Sequence, residues 1–407
     1  MLDGAFISRL PITDSKKEVC AFELAILSAE GEGAPSSSSA AQVYLEMLTN
    51  VGFSRMVGGH PAHVDVDEAF ILGQVLPAPT HPLVLELQRD VRPDPHVVEA
   101  LKGWRDAGFV LAIDDLQPDD ERLPLLESIK LVKVNVEALD EIALATVCAQ
   151  ARTAGCAILA YGIVDAEQMH RGATQGATLY QGEWTATIEP SPKLSMAAQR
   201  GKLLHLLTRL YDPKVTATEI EKLVSQDPVL SLRLLQVANS TLYRRTKPVE
   251  SVRATIAILG LNQISTWVSL IVMSTVDGSP SQSLVNTMTR AKLCELLARE
   301  LRMESDRMFT VGLLSSFERA LGLPMKDLIG NMALSKDVID ALMTRKGKMG
   351  EVLRMVEAHE QRQWDALQSC GLTTEQINEA WVGAIGWADA ACRSTSAVST
   401  PAPASRR

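Results

Sequence analysis

The sequence predicts an α/β domain of alternating strands and helices followed by an all-helical domain. Two observations carry this. Short β-type runs alternate with helical stretches over the first 190 or so residues, the signature of βα units around a parallel sheet. Beyond Glu189-Pro190-Ser191-Pro192, strand signals largely vanish and helix starts become frequent. A chain of 407 residues also exceeds one ordinary core. The boundaries expected are an α/β domain over 1–191, a helical domain over 193–392 and a disordered tail over 393–407.

In the first half, Val19 to Leu27, Pro82 to Leu87, Phe109 to Leu116, Ile129 to Val136 and Ala157 to Val164 read as strands, and Asp65 lies in another. Ala41 to Val51 places Tyr44, Met47, Leu48 and Val51 on one helical face, with Ser39 and Gln42 as a capping box. The Ser-rich stretch Gly31 to Ala41 reads as loop, and the Pro-containing run at 189–192 as linker. In the second half, Thr216 with Glu219 forms a capping box, and Asp227-Pro228 supplies an N-cap with proline at the first turn. The helix that follows carries Leu230, Leu234 and Val237 on one face and Leu232 and Leu235 on another, so it reads as apolar nearly all round and central. Gly260 is placed to end a later helix. The Ser, Thr, Ala and Pro composition from Arg393 onward cannot bury enough surface to order itself.

Composition narrows the function classes. Residues 1–192 hold 13 Lys and Arg against 28 Asp and Glu, and residues 193–407 hold 27 against 21. The modest positive balance of the second half argues against strong nucleic-acid binding, so Tyr243-Arg244-Arg245-Thr246-Lys247 reads as a solvated loop. Six scattered cysteines without a C-x-x-C pair point to reduced structural thiols. The longest apolar stretch, Trp267 to Val276, is short of the roughly 20 residues of a membrane span, so the expectation is a cytoplasmic protein without a membrane partner. Only His205 and His359 occur in the second half, and each reads as a surface or partly packed histidine.

In a βα barrel, the carboxyl ends of the parallel strands converge on one mouth. Glu23, Asp65, Glu86 and the Asp114-Asp115 pair all fall in or just after candidate strands, and Lys133 falls near the end of another. Carboxylates gathered there repel one another unless a hard cation such as Mg²⁺ or Mn²⁺ sits between them.

These residues resemble the EAL family of cyclic di-GMP phosphodiesterases, in the short variant that precedes an HDOD domain. Arg9-Leu10-Pro11-Ile12-Thr13-Asp14 resembles the opening of that variant, and Phe22-Glu23-Leu24-Ala25-Ile26-Leu27 stands at its signature segment. The resemblance implies a TIM-like βα barrel in which Glu23, Glu86, Asp114 and Asp115 fall on metal positions. It also implies that Lys133 falls on the lysine assisting the attacking water and Gln181 on a late glutamine. Asp65 replaces an asparagine ligand, Leu27 replaces the arginine that holds phosphate, and Leu116-Gln117 replaces a Phe-Gly pair. Asn135, Tyr161 and Val164 replace three acids. Asp227 to Leu235, Ala238-Asn239-Ser240 and Ile256 to Leu261 resemble the HDOD domain, a relative of the HD phosphohydrolases that lacks their metal residues, and no His-Asp dipeptide occurs here. Ser316-Phe317 stands near where one would be sought.

The expectation is therefore a vestigial metal site (Glu23, Asp65, Glu86, Asp114, Asp115) with vestigial Lys133 and Gln181, no bound cofactor, and regulatory proteins as partners. Mg²⁺ or Mn²⁺ enters only if the barrel site is competent. The alternatives are a cyclic di-GMP receptor without turnover, or an active phosphodiesterase whose site Asp65 completes together with Asp165 or Glu167.

Overall fold

The computed structural model describes residues 5–28, 56–73, 81–182 and 206–396, the last with short gaps at 213, 227, 241–242, 244–248, 277–281, 319–323, 331, 333, 362, 364–365 and 368–370. The expected helix at 41–51 with its Ser39 cap, the loop at 31–41, the linker at 189–192, Asp227, His205 and most of the 243–247 cluster lie outside the described residues. Two compact units emerge: Met1–Thr187 with Arg362–Asn378, and Ile188–Gln361 with Glu379–Arg407. Residues 362–378, expected in the helical domain, thus cluster with the first unit.

The first unit is a closed eight-stranded barrel in chain order. Its strands are β1 (Ala5–Thr13), β2 (Val19–Ser28), β3 (Ala62–Val66), β4 (Leu83–Leu87), β5 (Val110–Ile113), β6 (Leu131–Asn135), β7 (Ala157–Tyr161) and β8 (Leu179–Tyr180). β1 runs antiparallel to both β2 and β8, whereas β2 through β8 are mutually parallel. All the mouth residues named above, set on parallel strands or just beyond them, therefore share one end of the barrel. Ile12, Ala21, Val84, Ala112, Leu131 and Leu159 form an apolar plug inside, from alternate positions of six strands. Burying such a set removes several side chains' worth of apolar area from water, at roughly 25 cal/mol per Å².

β5 and β7 each end three residues earlier than the sequence predicts, and β6 one residue earlier. β5 stops at Ile113 rather than Leu116, because Asp115 adopts a left-handed φ of 48° that no strand accommodates. β7 stops at Tyr161 rather than Val164, because Gly162 turns the chain with φ of 75°. A Cβ at Gly162 would also stand 2.8 Å from Asn135 Oδ1. That oxygen is occupied in accepting from the Glu137 and Ala138 amides at 3.1 and 3.0 Å.

The second unit is helical throughout its described residues. The capping box at Thr216 forms as the sequence predicts and opens the helix Ala217–Ser225. In the helix Pro228–Ala238, Leu230, Leu234 and Val237 are buried, but Leu232 is 49% exposed, so the helix buries one face and is not enclosed all round. Asn239 is a structural clamp: its side chain donates to the Leu235 and Val249 carbonyls and accepts from the Val249 amide. Gly260, at φ of 79°, breaks the long segment Val252–Val276 into two helices. The window Val252–Ile271 within it is long and apolar enough to span a membrane by composition, contrary to the expectation from Trp267 to Val276 alone, and 56% of it is buried inside the protein. His359, expected at or near the surface, is buried with its ring centroid 4.5 Å from that of Trp381. The last helix, Thr374–Ser396, runs four residues into the segment expected to be tail, and 397–407 lies outside the described residues.

Candidate functional site

Strand periodicity sets the site. Glu23 on β2, His63 and Asp65 on β3, Glu86 on β4 and Lys133 on β6 occupy barrel positions where register aligns Glu23 with His63 and Asp65 with Glu86. Asp114 follows the end of β5, and Gln181 follows β8. Lys133, Glu86, Glu23, His63 and Gln181 are all buried.

Lys133 is the hub. Its Nζ lies 2.9 Å from Glu23 Oε2, 2.6 Å from Glu86 Oε2 and 3.1 Å from Asp114 Oδ1. Of the three ammonium donors, two make hydrogen bonds to Glu23 and Glu86, and Asp114 stands within ion-pair range. Burial pushes the Lys133 pKa down, but the three carboxylates outweigh it and hold the side chain charged, well above the ordinary lysine range. Gln181 Nε2 donates to Glu23 Oε2 at 2.8 Å, and His63 Nδ1 stands 2.5 Å from Glu86 Oε1. Since the carboxylate accepts, the imidazole carries its proton on Nδ1.

Glu86 and Asp65 are register neighbours with opposite fates. Burial raises the Glu86 pKa, yet the charge of Lys133 and the His63 hydrogen bond overcome it and bring it to about 2. Asp65 has no such donor: its Oδ1 is buried without a hydrogen-bond partner, and burial together with repulsion from Glu86 and Glu23 raises it to about 8. Asp114 is raised as well, by burial, against the pull of Lys133.

The second aspartate of the pair points elsewhere. The left-handed backbone at Asp115 sends its carboxylate to the exposed Arg89 guanidinium and to Gln117 Nε2 at 3.1 Å. Arg122 explains how that turn is held: its buried guanidinium donates to the carbonyls of Leu87 and Asp114, both at 2.9 Å, and pairs with Asp120 at 2.8 Å. The Tyr161 hydroxyl lies in the field of the Asp115 carboxylate, and its ring centroid lies 5.5 Å from Lys133 Nζ. Burial, then the Asp115 carboxylate, raises the Tyr161 pKa far above the ordinary phenol value.

The remaining substituted positions supply no carboxylate to this cluster. The Asn135 oxygen caps its own turn, Val164 is 46% exposed, and Leu27 is placed by backbone register opposite Phe6 on β1. Asp165 is the N-cap of the helix Ala166–Thr174, accepting from the Gln168 amide at 2.8 Å, and Glu167 is exposed in the first turn of that helix. Among the described residues, no group of three or more His, Cys, Asp or Glu side chains is arranged to hold a metal ion. A two-cation centre does not fit this donor set, because the convergent carboxylates already share an ammonium and positions 135, 161 and 164 offer an amide, a phenol and an alkyl group. His63, Arg89 and Arg122 were not singled out by sequence. Only His63 carried a signal, since it alternates with Asp65 on one face of β3.

In the second unit, a model of the HDOD domain matches residues 198–321, the segment that follows the barrel. Residues 198–321 therefore carry an HDOD domain. Two relatives align along nearly all of it. The Bacillus subtilis (strain 168) protein YuxH is 24% identical over 400 residues, 94% of this chain and 97% of its own. Cyclic di-GMP phosphodiesterase CdgJ of Vibrio cholerae serotype O1 is 24% identical over 398 residues, 94% of this chain and 92% of its own. Among solved structures, an EAL domain protein from Listeria monocytogenes EGD-e is 16% identical with a TM-score of 0.36, spanning 44% of this chain and 87% of its own. In the second unit, Ser316 and Phe317 are buried, and Arg290 forms a bidentate pair with Glu360.

Proposed function

We propose that this chain is an EAL-HDOD protein acting as a non-catalytic signal-transduction regulator in or near cyclic di-GMP signalling, working through regulatory protein partners. The observation that carries the reading is the engagement of Glu23, Glu86 and Asp114 by one lysine. Phosphodiester cleavage of this type needs metal-polarised phosphoryl oxygens and a metal-bound hydroxide. An ammonium supplies neither a Lewis-acid site nor an activated water. Leu27 in place of a guanidinium further removes the bidentate grip on a phosphate, which weighs against a receptor role.

The test is incubation of the full chain with cyclic di-GMP and Mg²⁺ or Mn²⁺, following heat by calorimetry and product by chromatography. No linear dinucleotide is expected; its formation at enzyme-like rates overturns the proposal. Heat without product would support the receptor alternative. The phosphodiesterase alternative draws on the name of the Vibrio cholerae relative. Its rescue by Asp165 meets an obstacle: β7 has already ended, and the Asp165 carboxylate is committed to a helix cap. Partner identity is read by affinity capture, comparing the wild type with Leu232→Glu on the half-exposed helix face.

A further inference from the structure

We infer that Lys133 is the barrel's resident cation: its ammonium stands where Glu23, Glu86 and Asp114 converge, holds the mouth together as structure, and keeps divalent ions out. The inference deepens the non-catalytic reading above and rests on it.

The cluster's polar contacts close around Lys133 and leave Asp65 Oδ1 as a buried oxygen without a partner. Lys133 donates to Glu23 Oε2 at 2.9 Å and to Glu86 Oε2 at 2.6 Å, and ion-pairs with Asp114 Oδ1 at 3.1 Å. The other Glu86 oxygen is taken by His63 at 2.5 Å, and Glu23 Oε2 also accepts from Gln181 at 2.8 Å. A hard divalent ion binds oxygen ligands at roughly 2.0–2.6 Å and would have to displace the ammonium to reach these carboxylates. Displacement has no favourable destination. The Lys133 side chain is only 4% exposed, with the Tyr161 ring over its Nζ, so an evicted ammonium would stay buried without a full set of partners. A second ion finds Asp65 as one further acid, while Asn135, Tyr161 and Val164 offer none. The ammonium therefore wins over Mg²⁺ or Mn²⁺ at this point, and the acids persist because they hold it.

The test uses full-length wild type, Lys133→Met and Glu86→Gln. Mn²⁺ is titrated into each, with free Mn²⁺ read by electron paramagnetic resonance, and thermal melting is recorded in EDTA and in millimolar Mn²⁺. Wild type is expected to show no saturable Mn²⁺ site that Glu86→Gln abolishes, and a melting curve indifferent to the ion. Lys133→Met is expected to melt lower in EDTA, to be restored by Mn²⁺, and to bind it at least about 100-fold more tightly than wild type, as removal of a close positive charge requires. Stoichiometric Mn²⁺ uptake by wild type that is lost in Glu86→Gln overturns the inference, as does a folded Lys133→Met that ignores Mn²⁺. Should Lys133→Met fold in neither condition, the wild-type and Glu86→Gln titrations decide alone. Mn²⁺ uptake without cyclic di-GMP turnover defeats only this inference, whereas turnover defeats the functional reading.

Discussion

The two units differ in what they bury. Inside the barrel, Glu23, His63, Glu86, Lys133 and Gln181 form one connected polar network above an apolar plug. In the helical unit the interior is built from Trp267, Phe309, Phe317, Trp381 and aliphatic side chains, with Arg290 and Glu360 as a partly buried pair. Buried ionic groups are a poor route to stability, since desolvation offsets much of their attraction. A barrel that carries such a network is therefore shaped by chemistry as well as packing, whereas the helical unit is explained by packing. On the functional proposal above, the barrel keeps the vestige of a reaction centre and the helical unit serves as a scaffold for surfaces.

The contrast can be broken most forcefully at Glu86. Glu86→Ala strips Lys133 and His63 of a shared partner inside the barrel, and a loss of about 3–5 kcal/mol is expected in urea denaturation. A neutral result would mean that the network is slack. Arg290→Ala in the helical unit should cost less, about 1–3 kcal/mol, because the guanidinium is 13% and Glu360 27% exposed. Hydrogen exchange resolved by segment should confine each loss to its own unit.

Asp65 sharpens the comparison through pH. Its folded pKa of about 8 lies above the ordinary 3.8, so the fold retains a proton that the unfolded chain has released. Stability from this group is full below pH 4 and is lost as pH rises towards 8. Asp65→Asn should therefore gain on wild type by roughly 1.4 kcal/mol per pH unit between pH 4, where the two are nearly equal, and pH 8, measured by denaturation across that range. Glu86 has the opposite sign: its pKa of about 2 lies below the ordinary 4.5, so its contribution is present above pH 4.5 and lost as pH falls towards 2. The smallest effect is expected at Asp165. Asp165→Ala removes a helix cap worth about 1 kcal/mol, with no change in the barrel's response to Mn²⁺.

Much of this was legible in the sequence because it follows from period and polarity. Val19 to Leu27 and Ile129 to Val136 alternate or run apolar as strands do, and the carboxyl-end rule gathered Glu23, Glu86 and Asp114 before any coordinates. What escaped depends on long-range geometry. β8 is two residues long and exists only through its neighbours β7 and β1. The left-handed Asp115 is imposed by Arg122 and Arg89 rather than by the local Asp-Asp pair, so the divergence of the two aspartates could not be read from their adjacency. Leu232 misled because composition reports apolarity all round a helix, while packing decides which face is covered. His63 was missed because a lone histidine in an apolar run reads as core.

The ring of Tyr161 has a consequence for any acid placed at its position. Exchanging it for a shorter carboxylate would do more than add a charge: it would hollow the opening above the ammonium and admit water. A charge introduced there thus comes with lost volume, and no single substitution supplies the one while keeping the other.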